Sequence, residues 1–348
     1  MRRRLNLPRR RTLRNTRPRL HIQDEKSGWK VAGPPPPLSL ATAESLLASW
    51  RGHRGVEDVR PLDGGLMNRN YRVRLAGSRD VFVLRFFDHD PAACVKEAAV
   101  LALVRDTVPV PEVVHVDANG AEGFPPFLVL EFVDGISLRE LKRRGDLDAL
   151  GEAAYDAGKV LARLARHRFD RSGLLTSALT IDSSAFDGAT TFGLVDHLAQ
   201  SPAFQRRVDT DLRRRVDVWA RASQRRFGDL SAPSLVHGDF NSANILVREE
   251  GGHWSIAAIL DWEFAFAGSF FCDVGNLLRY ERADRPRFEP HFSRGCVDGG
   301  LALADDWRER ALFADLPALC ELLARDELPD HVADEVRELI SATVSRAT

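Results

Sequence analysis

Hydrophobic and polar positions along this chain follow two periods. A period of two marks strands: Tyr71, Val73 and Leu75 alternate with polar residues, and Val81, Val83 and Arg85 share one side of the run Val81–Phe86. Val113–Val116 and the longer apolar run Phe127–Val133 read as further strands. A helical period appears at Leu40–Trp50, where Leu46, Leu47 and Trp50 fall on one face. It returns after Asp90, a capping residue with Pro91 in the first turn, as the stripe Cys94, Glu97, Leu101 and Val104. Ser137 is placed to cap a short helix ending near Arg144, and residues 148–167 carry Leu150, Ala154, Ala157, Val160, Leu161 and Leu164 at helical spacing. Three short apolar runs, Leu235–Val236, Ile245–Val247 and Ile256–Leu260, are bounded by polar or glycine residues and predict short buried strands. Asp273 is expected to N-cap a helix through Tyr280, and residues 286–348 to be helical with breaks near Gly299–Gly300, Pro317 and Pro329.

With 348 residues, 44% of them hydrophobic, the chain can bury a core large enough for two lobes. No apolar run approaches the roughly 18 residues of a membrane span. The four cysteines are widely spaced, which argues against zinc and against a disulfide framework and suits reduced thiols in a cytoplasmic protein. The net charge of −1 conceals an asymmetry, since residues 1–37 hold eleven Lys/Arg against two acids. That arginine- and proline-rich tail is expected to be disordered. It lacks the apolar h-region of a secretory signal, and an organellar transit peptide or a start placed too far upstream would read the same way. It also lacks aromatic interleaving and any recognition motif, so nucleic-acid binding is not the expectation. The arginine run in residues 203–227 is interleaved with acids and reads as a solvated helix face.

The chemistry concentrates where the three apolar runs end. His237, Gly238 and Asp239 follow the first run, Asn244 precedes the second and Asp261 follows the third. Phosphoryl transfer explains such a set: one carboxylate to receive a hydroxyl beside the γ-phosphate, and a carboxylate with an amide oxygen to hold Mg²⁺. Asp239 and Asn244 keep the spacing of the kinase H-R-D-x-x-x-x-N loop, and Asp261-Trp262-Glu263 stands where D-F-G would stand. These residues resemble the aminoglycoside phosphotransferase and choline kinase superfamily, whose loops read H-G-D-x-x-x-x-N followed by an I-D-[WF]-E-like segment. Gly238 in place of arginine separates this group from protein kinases.

The resemblance implies an α+β, bilobal protein-kinase-like fold: a small antiparallel-sheet lobe over residues 38–133 and a mainly helical lobe over 134–348. It implies ATP, with GTP as the alternative, and Mg²⁺. Asp239 would be the catalytic base or orienter, Asn244 and Asp261 metal ligands, with Glu263 behind the metal, and Asp273 bracing the loop that His237 opens. In the small lobe, Gly64, Gly65 and Asn68 would form the phosphate loop. Arg85, in the place of the kinase lysine, would contact phosphate oxygens and pair with Glu97. Glu131, Phe132 and Val133 would form the hinge against the adenine edge. The acceptor is a hydroxyl of a small molecule. The acids Asp298, Asp305, Asp306, Glu309, Asp315, Glu321, Asp326 and Glu327 suggest a carboxylate-lined cleft for a polycation, so an aminoglycoside is the first expectation. Macrolides, choline or ethanolamine, homoserine and sugars are alternatives of the same fold, and a catalytically silent nucleotide-binding regulator is the alternative from another class.

Overall fold

A computed structural model of the chain describes residues 35–50, 55–62, 68–182, 190–281 and 287–345. Gly64, Gly65 and nearly all of the arginine-rich tail lie outside the described residues.

The N-terminal part is a five-stranded antiparallel sheet of β1 (Val56–Leu62), β2 (Arg69–Leu75), β3 (Val81–Phe86), β4 (Val113–Asp117) and β5 (Phe127–Glu131), in the order β1-β2-β3-β5-β4. Alternation gives the sheet two faces. Tyr71, Val73, Leu84, Phe86, Phe127 and Val129 pack with Leu46 and Leu47 of α1 (Leu40–Leu47) into one apolar cluster. Ser39 caps α1 by accepting the Thr42 amide. The Tyr71 hydroxyl reaches past this cluster to donate to the Pro36 carbonyl at 2.8 Å, so the last prolines before α1 are tied to the sheet. Val83 and Arg85 point to the opposite side, where α2 (Pro91–Val104) lies. Asp90 accepts the Ala92 amide at the start of α2, and the stripe Cys94, Glu97, Leu101 and Val104 is buried as its spacing predicts. β5 stops at Glu131 instead of running to Val133.

The C-terminal part begins with β6 (Ile136–Ser137), α3 (Leu138–Arg144) and the amphipathic α4 (Leu147–Leu164). Then come β7 (Gly173–Leu174), α5 (Thr191–Ala199), α6 (Pro202–Arg207) and α7 (Thr210–Phe227). Arg214 and Arg221 of α7 sit on a solvated face beside acids one turn away, Asp211 and Asp217, whereas Arg215 donates to Ser341 and Ser345 and Arg207 of α6 to the carbonyls of Leu323, Arg325 and Asp326, so the expected solvated face holds for only part of the arginine run. The three apolar runs form β8 (Ser234–Val236), β9 (Ile245–Glu250) and β10 (His253–Ile259), followed by β11 (Phe266–Gly268). They enter two small sheets, β10-β9-β6 and β7-β11-β8. Acids of α4 hold β10 in place: Glu152 accepts the Trp254 amide at 2.8 Å and Asp156 the Ile256 amide at 2.9 Å. The chain closes with α8 (Phe271–Leu278), α9 (Glu289–Asp298), α10 (Trp307–Ala324) and α11 (Asp330–Ser345).

Two helix expectations are corrected. Pro317 does not break α10; it lies inside the helix, on the side that lines the central cavity. Asp273 is not the N-cap of α8: that position is Phe270, with no side-chain cap, and Asp273 sits in the first turn. Its carboxylate is spent on another segment, described below. The four cysteines are all unpaired, and burial pushes the thiols of Cys94, Cys296 and Cys320 up to about 12. Among the described residues no helix is long and apolar enough to cross a membrane.

Candidate active site

The ends of β8, β9 and β10 meet under the inner face of the five-stranded sheet, at a cavity of about 1720 Å³. That exceeds the roughly 300–1,000 Å³ of a pocket for one drug-sized ligand and leaves room for two. Asp239, Asn244 and Asp261 all line it, as do Val83, Arg85, Glu97 and the residues expected to form a hinge, Glu131, Phe132 and Val133.

The loop after β8 is shaped by contacts that fix Asp239. Gly238 has φ +83°, and a Cβ there would lie 2.4 Å from the Phe264 carbonyl oxygen, so only glycine fits. This contact is the physical reason the loop reads H-G-D. The carboxylate of Asp273 receives the two preceding amides, Oδ2 from His237 at 2.8 Å and Oδ1 from Gly238 at 3.0 Å. Burial pushes the Asp273 carboxyl up to about 7 against the pull of those two amides. The His237 ring is buried; its Nδ1 accepts the Asp239 amide at 3.1 Å, so Nε2 carries the proton and donates to the Leu260 carbonyl at 2.9 Å. Burial lowers its pKa, in keeping with a neutral ring. The same ring lies 4.5 Å, centroid to centroid, from Trp262. His237 thus ties the loop after β8 to the segment after β10.

The Asp239 carboxylate is oriented by two amides: Asn241 Nδ2 donates to Oδ1 at 2.6 Å and Asn244 Nδ2 to Oδ2 at 2.8 Å. Asn244 Nδ2 also donates to the Asp239 carbonyl, which leaves the amide oxygen of Asn244 for a cation. Across the cavity floor, Asp261 adopts a left-handed backbone with φ +70°, uncommon for a non-glycine residue and worth reading as functional. Arg85 reaches it from β3. The guanidinium ion-pairs with Asp261 through Nη2, stands 3.2 Å from Glu97 and 3.9 Å from Glu263. Burial opposes its charge, but the three carboxylates outweigh burial and hold the pKa above its usual value. Glu97 and Glu263 are both pushed up, first by burial and then by neighbouring carboxylates, with Arg85 pulling the other way. Asn68 completes the group by donating Nδ2 to Glu263 at 2.7 Å.

Among the described residues no cluster of three His, Cys, Asp or Glu could cage a metal alone. The oxygen donors at Asp261 and Asn244 nonetheless fit Mg²⁺, which binds through one or two carboxylates, substrate phosphates and retained waters. At the hinge, the Glu131 amide already donates to the Glu112 carbonyl at 2.8 Å and the Phe132 amide to Val81 at 3.2 Å. The expected hinge recognition therefore narrows to Val133 and to main-chain carbonyls.

Sequence reasoning missed Asn241, whose role depends on a turn geometry the spacing does not reveal. It also missed Arg279, the residue that closes α8, which lines the cavity in a bidentate pair with Asp315 at 2.6 and 2.9 Å. Of the eight acids expected to line an acceptor cleft, only Asp315 and Glu321 do so among the described residues, and both are ion-paired, with Arg279 and Arg325. Several of the others face outward to arginines, as Glu309 does to Arg226 and Asp298 to Arg294.

Comparison with known proteins agrees with this geometry. Residues 58–335 match the family model described as the phosphotransferase enzyme family. Among solved structures, aminoglycoside 2'-phosphotransferase-IIIa in its GDP complex superposes with a TM-score of 0.66 at 18% identity, covering 89% of this chain and 100% of that one. A thermostable variant of aminoglycoside phosphotransferase APH(4)-Ia, in a ternary complex with ADP and hygromycin B, gives 0.63 at 17% identity, covering 87% and 97%. At these identities the likeness shows the fold, which is the expected kinase-like one. Acyl-CoA dehydrogenase family member 10 from Mus musculus is 25% identical over 310 residues, 79% of this chain but only 27% of that protein.

Proposed function

Since the chain belongs to the phosphotransferase enzyme family, we propose that it moves the γ-phosphoryl group of a Mg²⁺-bound purine nucleoside triphosphate, ATP first, to a hydroxyl of a small molecule. The observation that carries this reading is the meeting of Asp239, Asn244 and Asp261 at one cavity floor under Arg85. Asp239, which lines this cavity, is the residue to take the proton of an incoming hydroxyl. The hydroxyl oxygen bonds to the γ-phosphorus, the bridge to the β-phosphate breaks, the nucleoside diphosphate leaves and the proton passes to the Asp239 carboxylate. Asn241 and Asn244 hold that carboxylate in one orientation. Asp261 and the oxygen of Asn244 would hold Mg²⁺, which supplies neutralising charge to the triphosphate when bound. Arg85 offers a fork of donors to phosphate oxygens, and Glu97 fixes its direction. The GDP complex of a structural relative keeps GTP as the second donor to try.

The test is turnover with Mg·ATP and Mg·GTP over a panel of hydroxyl acceptors, on wild type, Asp239→Ala and Asp261→Asn. Asp239→Ala should cut turnover about 10²–10⁴-fold, the share of a positioned acid–base group, while nucleotide still binds. Asp261→Asn should instead weaken Mg²⁺-dependent nucleotide binding. Small and equal effects from both would overturn the assignment, and nucleotide binding without turnover on any acceptor would favour a silent regulator.

A further inference from the structure

Beyond Asp239 the cavity continues between β7, α5, β11 and α10, and the chemistry of this wall differs from what the acid-rich sequence suggests. Leu174 and Phe264, two of the few large apolar side chains left exposed, at 44% each, both line it. Leu194 and Leu198, one helical turn apart on α5, line it from one side, and Pro317, Ala318 and Leu322 of α10 from another. Two of the acids set among them are paired within the protein. Asp315 is 5% exposed and takes both arms of Arg279, and Glu321 is paired with Arg325 at 2.9 Å. Asp170 and Asp229 line the cavity too, but both are exposed to solvent.

A polyamine ligand needs several carboxylates free to receive it, because each ammonium taken out of water without a partner is costly. Asp315, the buried acid of this wall, could be freed only by stripping it from Arg279, which leaves that buried guanidinium unpaired, while Glu321, Asp170 and Asp229 sit in solvent, where a pair with an ammonium is worth little. An uncharged body covered in carbon gains from this wall without breaking either pair. We infer, building on the phosphotransfer reading above, that the acceptor is an uncharged hydroxyl compound with an apolar body, and that α5 and α10 select it.

The experiment uses the full chain loaded with Mg·AMP-PNP and titrated by calorimetry with n-alkane-1,2-diols of four to eight carbons and with kanamycin. Diol Kd should fall about fourfold per added methylene, the value of one buried CH₂, and kanamycin should bind more weakly than the longest diol. Leu194→Asp and Leu198→Asp should flatten the chain-length series, with retained AMP-PNP affinity showing that each variant is folded. The same compounds are then assayed for phosphate transfer from Mg·ATP. A series independent of chain length, or a higher kcat/KM for kanamycin than for every diol, overturns the inference and leaves the phosphotransfer reading standing. Graded diol binding with no transfer to any compound overturns the phosphotransfer reading and leaves the apolar preference of the wall standing.

Discussion

Gly238→Ala is the sharpest perturbation this structure offers, because one methyl group meets two separate obstacles. The first is the backbone: φ is +83°, and a left-handed conformation costs a residue with a Cβ roughly 1–2 kcal/mol. The second is space. The new Cβ would sit 2.4 Å from the Phe264 carbonyl oxygen, where a comfortable C···O contact is about 3.3–3.6 Å. The loop after β8 and the segment after β10 must part by about 1 Å, and the parting threatens the 3.0 Å bond from the Gly238 amide to Asp273. Losing that charge-assisted bond adds roughly 1–3 kcal/mol, for a total of about 2–5 kcal/mol. At roughly 2–4 °C per kcal/mol for chains of 150–250 residues, and less for one of 348, melting should fall by at most about 4–20 °C. Displacement of Asp239 relative to Asp261 by about 1 Å should also lower kcat roughly 10²-fold. Gly251→Ala is the control: its φ is +60° with no atom within 4 Å of the new Cβ, so it isolates the backbone cost in the β9–β10 turn. The measurements are thermal melts of both variants and steady-state turnover with Mg·ATP. If Gly238→Ala melts with Gly251→Ala and keeps kcat within about twofold of wild type, the close approach does not govern the loop and the reasoning fails.

Other perturbations test the remaining contacts. Arg85→Lys replaces a fork that meets Glu97 and Asp261 together with a single ammonium; loss of one charge-assisted bond, about 1.5–3 kcal/mol, should weaken Mg·ATP binding roughly 10- to 150-fold, and unchanged affinity by calorimetry would refute it. Burial pushes the Asp273 carboxyl up to about 7, well above the usual carboxylate range, so its contribution to stability is full below about pH 4 and is lost as pH rises towards 7. Wild type should therefore lose up to about 1.4 kcal/mol per pH unit relative to Asp273→Asn across that window in urea titrations, and parallel pH profiles would count against a raised pKa. Tyr71→Phe removes the bond to the Pro36 carbonyl but keeps the ring in its apolar cluster; it should cost about 1 kcal/mol, and a much larger loss would mean that the hydroxyl has a further role.

The parts of the site that could be read in the sequence are those set by local periodicity. Asp239, Asn244 and Asp261 lie at the ends of apolar runs, and strands that short put their flanking residues at a sheet rim. Arg85 could be placed because alternation along β3 fixes its face, and Glu97 because an acid in an apolar helical stripe needs a cation. What stayed hidden depends on distant registers. That the Glu131 amide is already bonded to Glu112 follows from how β4 meets β5 across an irregular pairing between Val113 and His115. That Asp273 serves His237 and Gly238 instead of its own helix cannot be seen in a pattern where both roles ask for an acid near a helix start. The pairing of Asp315 was hidden for the same reason: Arg279 and Asp315 are thirty-six positions apart, and composition counts the acid without its partner.

His237 joins its neighbours by a ring nitrogen to Leu260, by its amide to Asp273 and by its face to Trp262. None of these partners belongs to α5 or α10. α10 is nonetheless coupled to this centre through α8, the helix that carries Asp273: Arg279 at its end grips Asp315, and a Cβ at Gly275 would meet the Ala311 carbonyl oxygen at 2.3 Å. A library meant to leave His237 and its partners undisturbed should therefore begin at the cavity-lining Leu194 and Leu198 of α5 and spare the face of α10 that clasps α8.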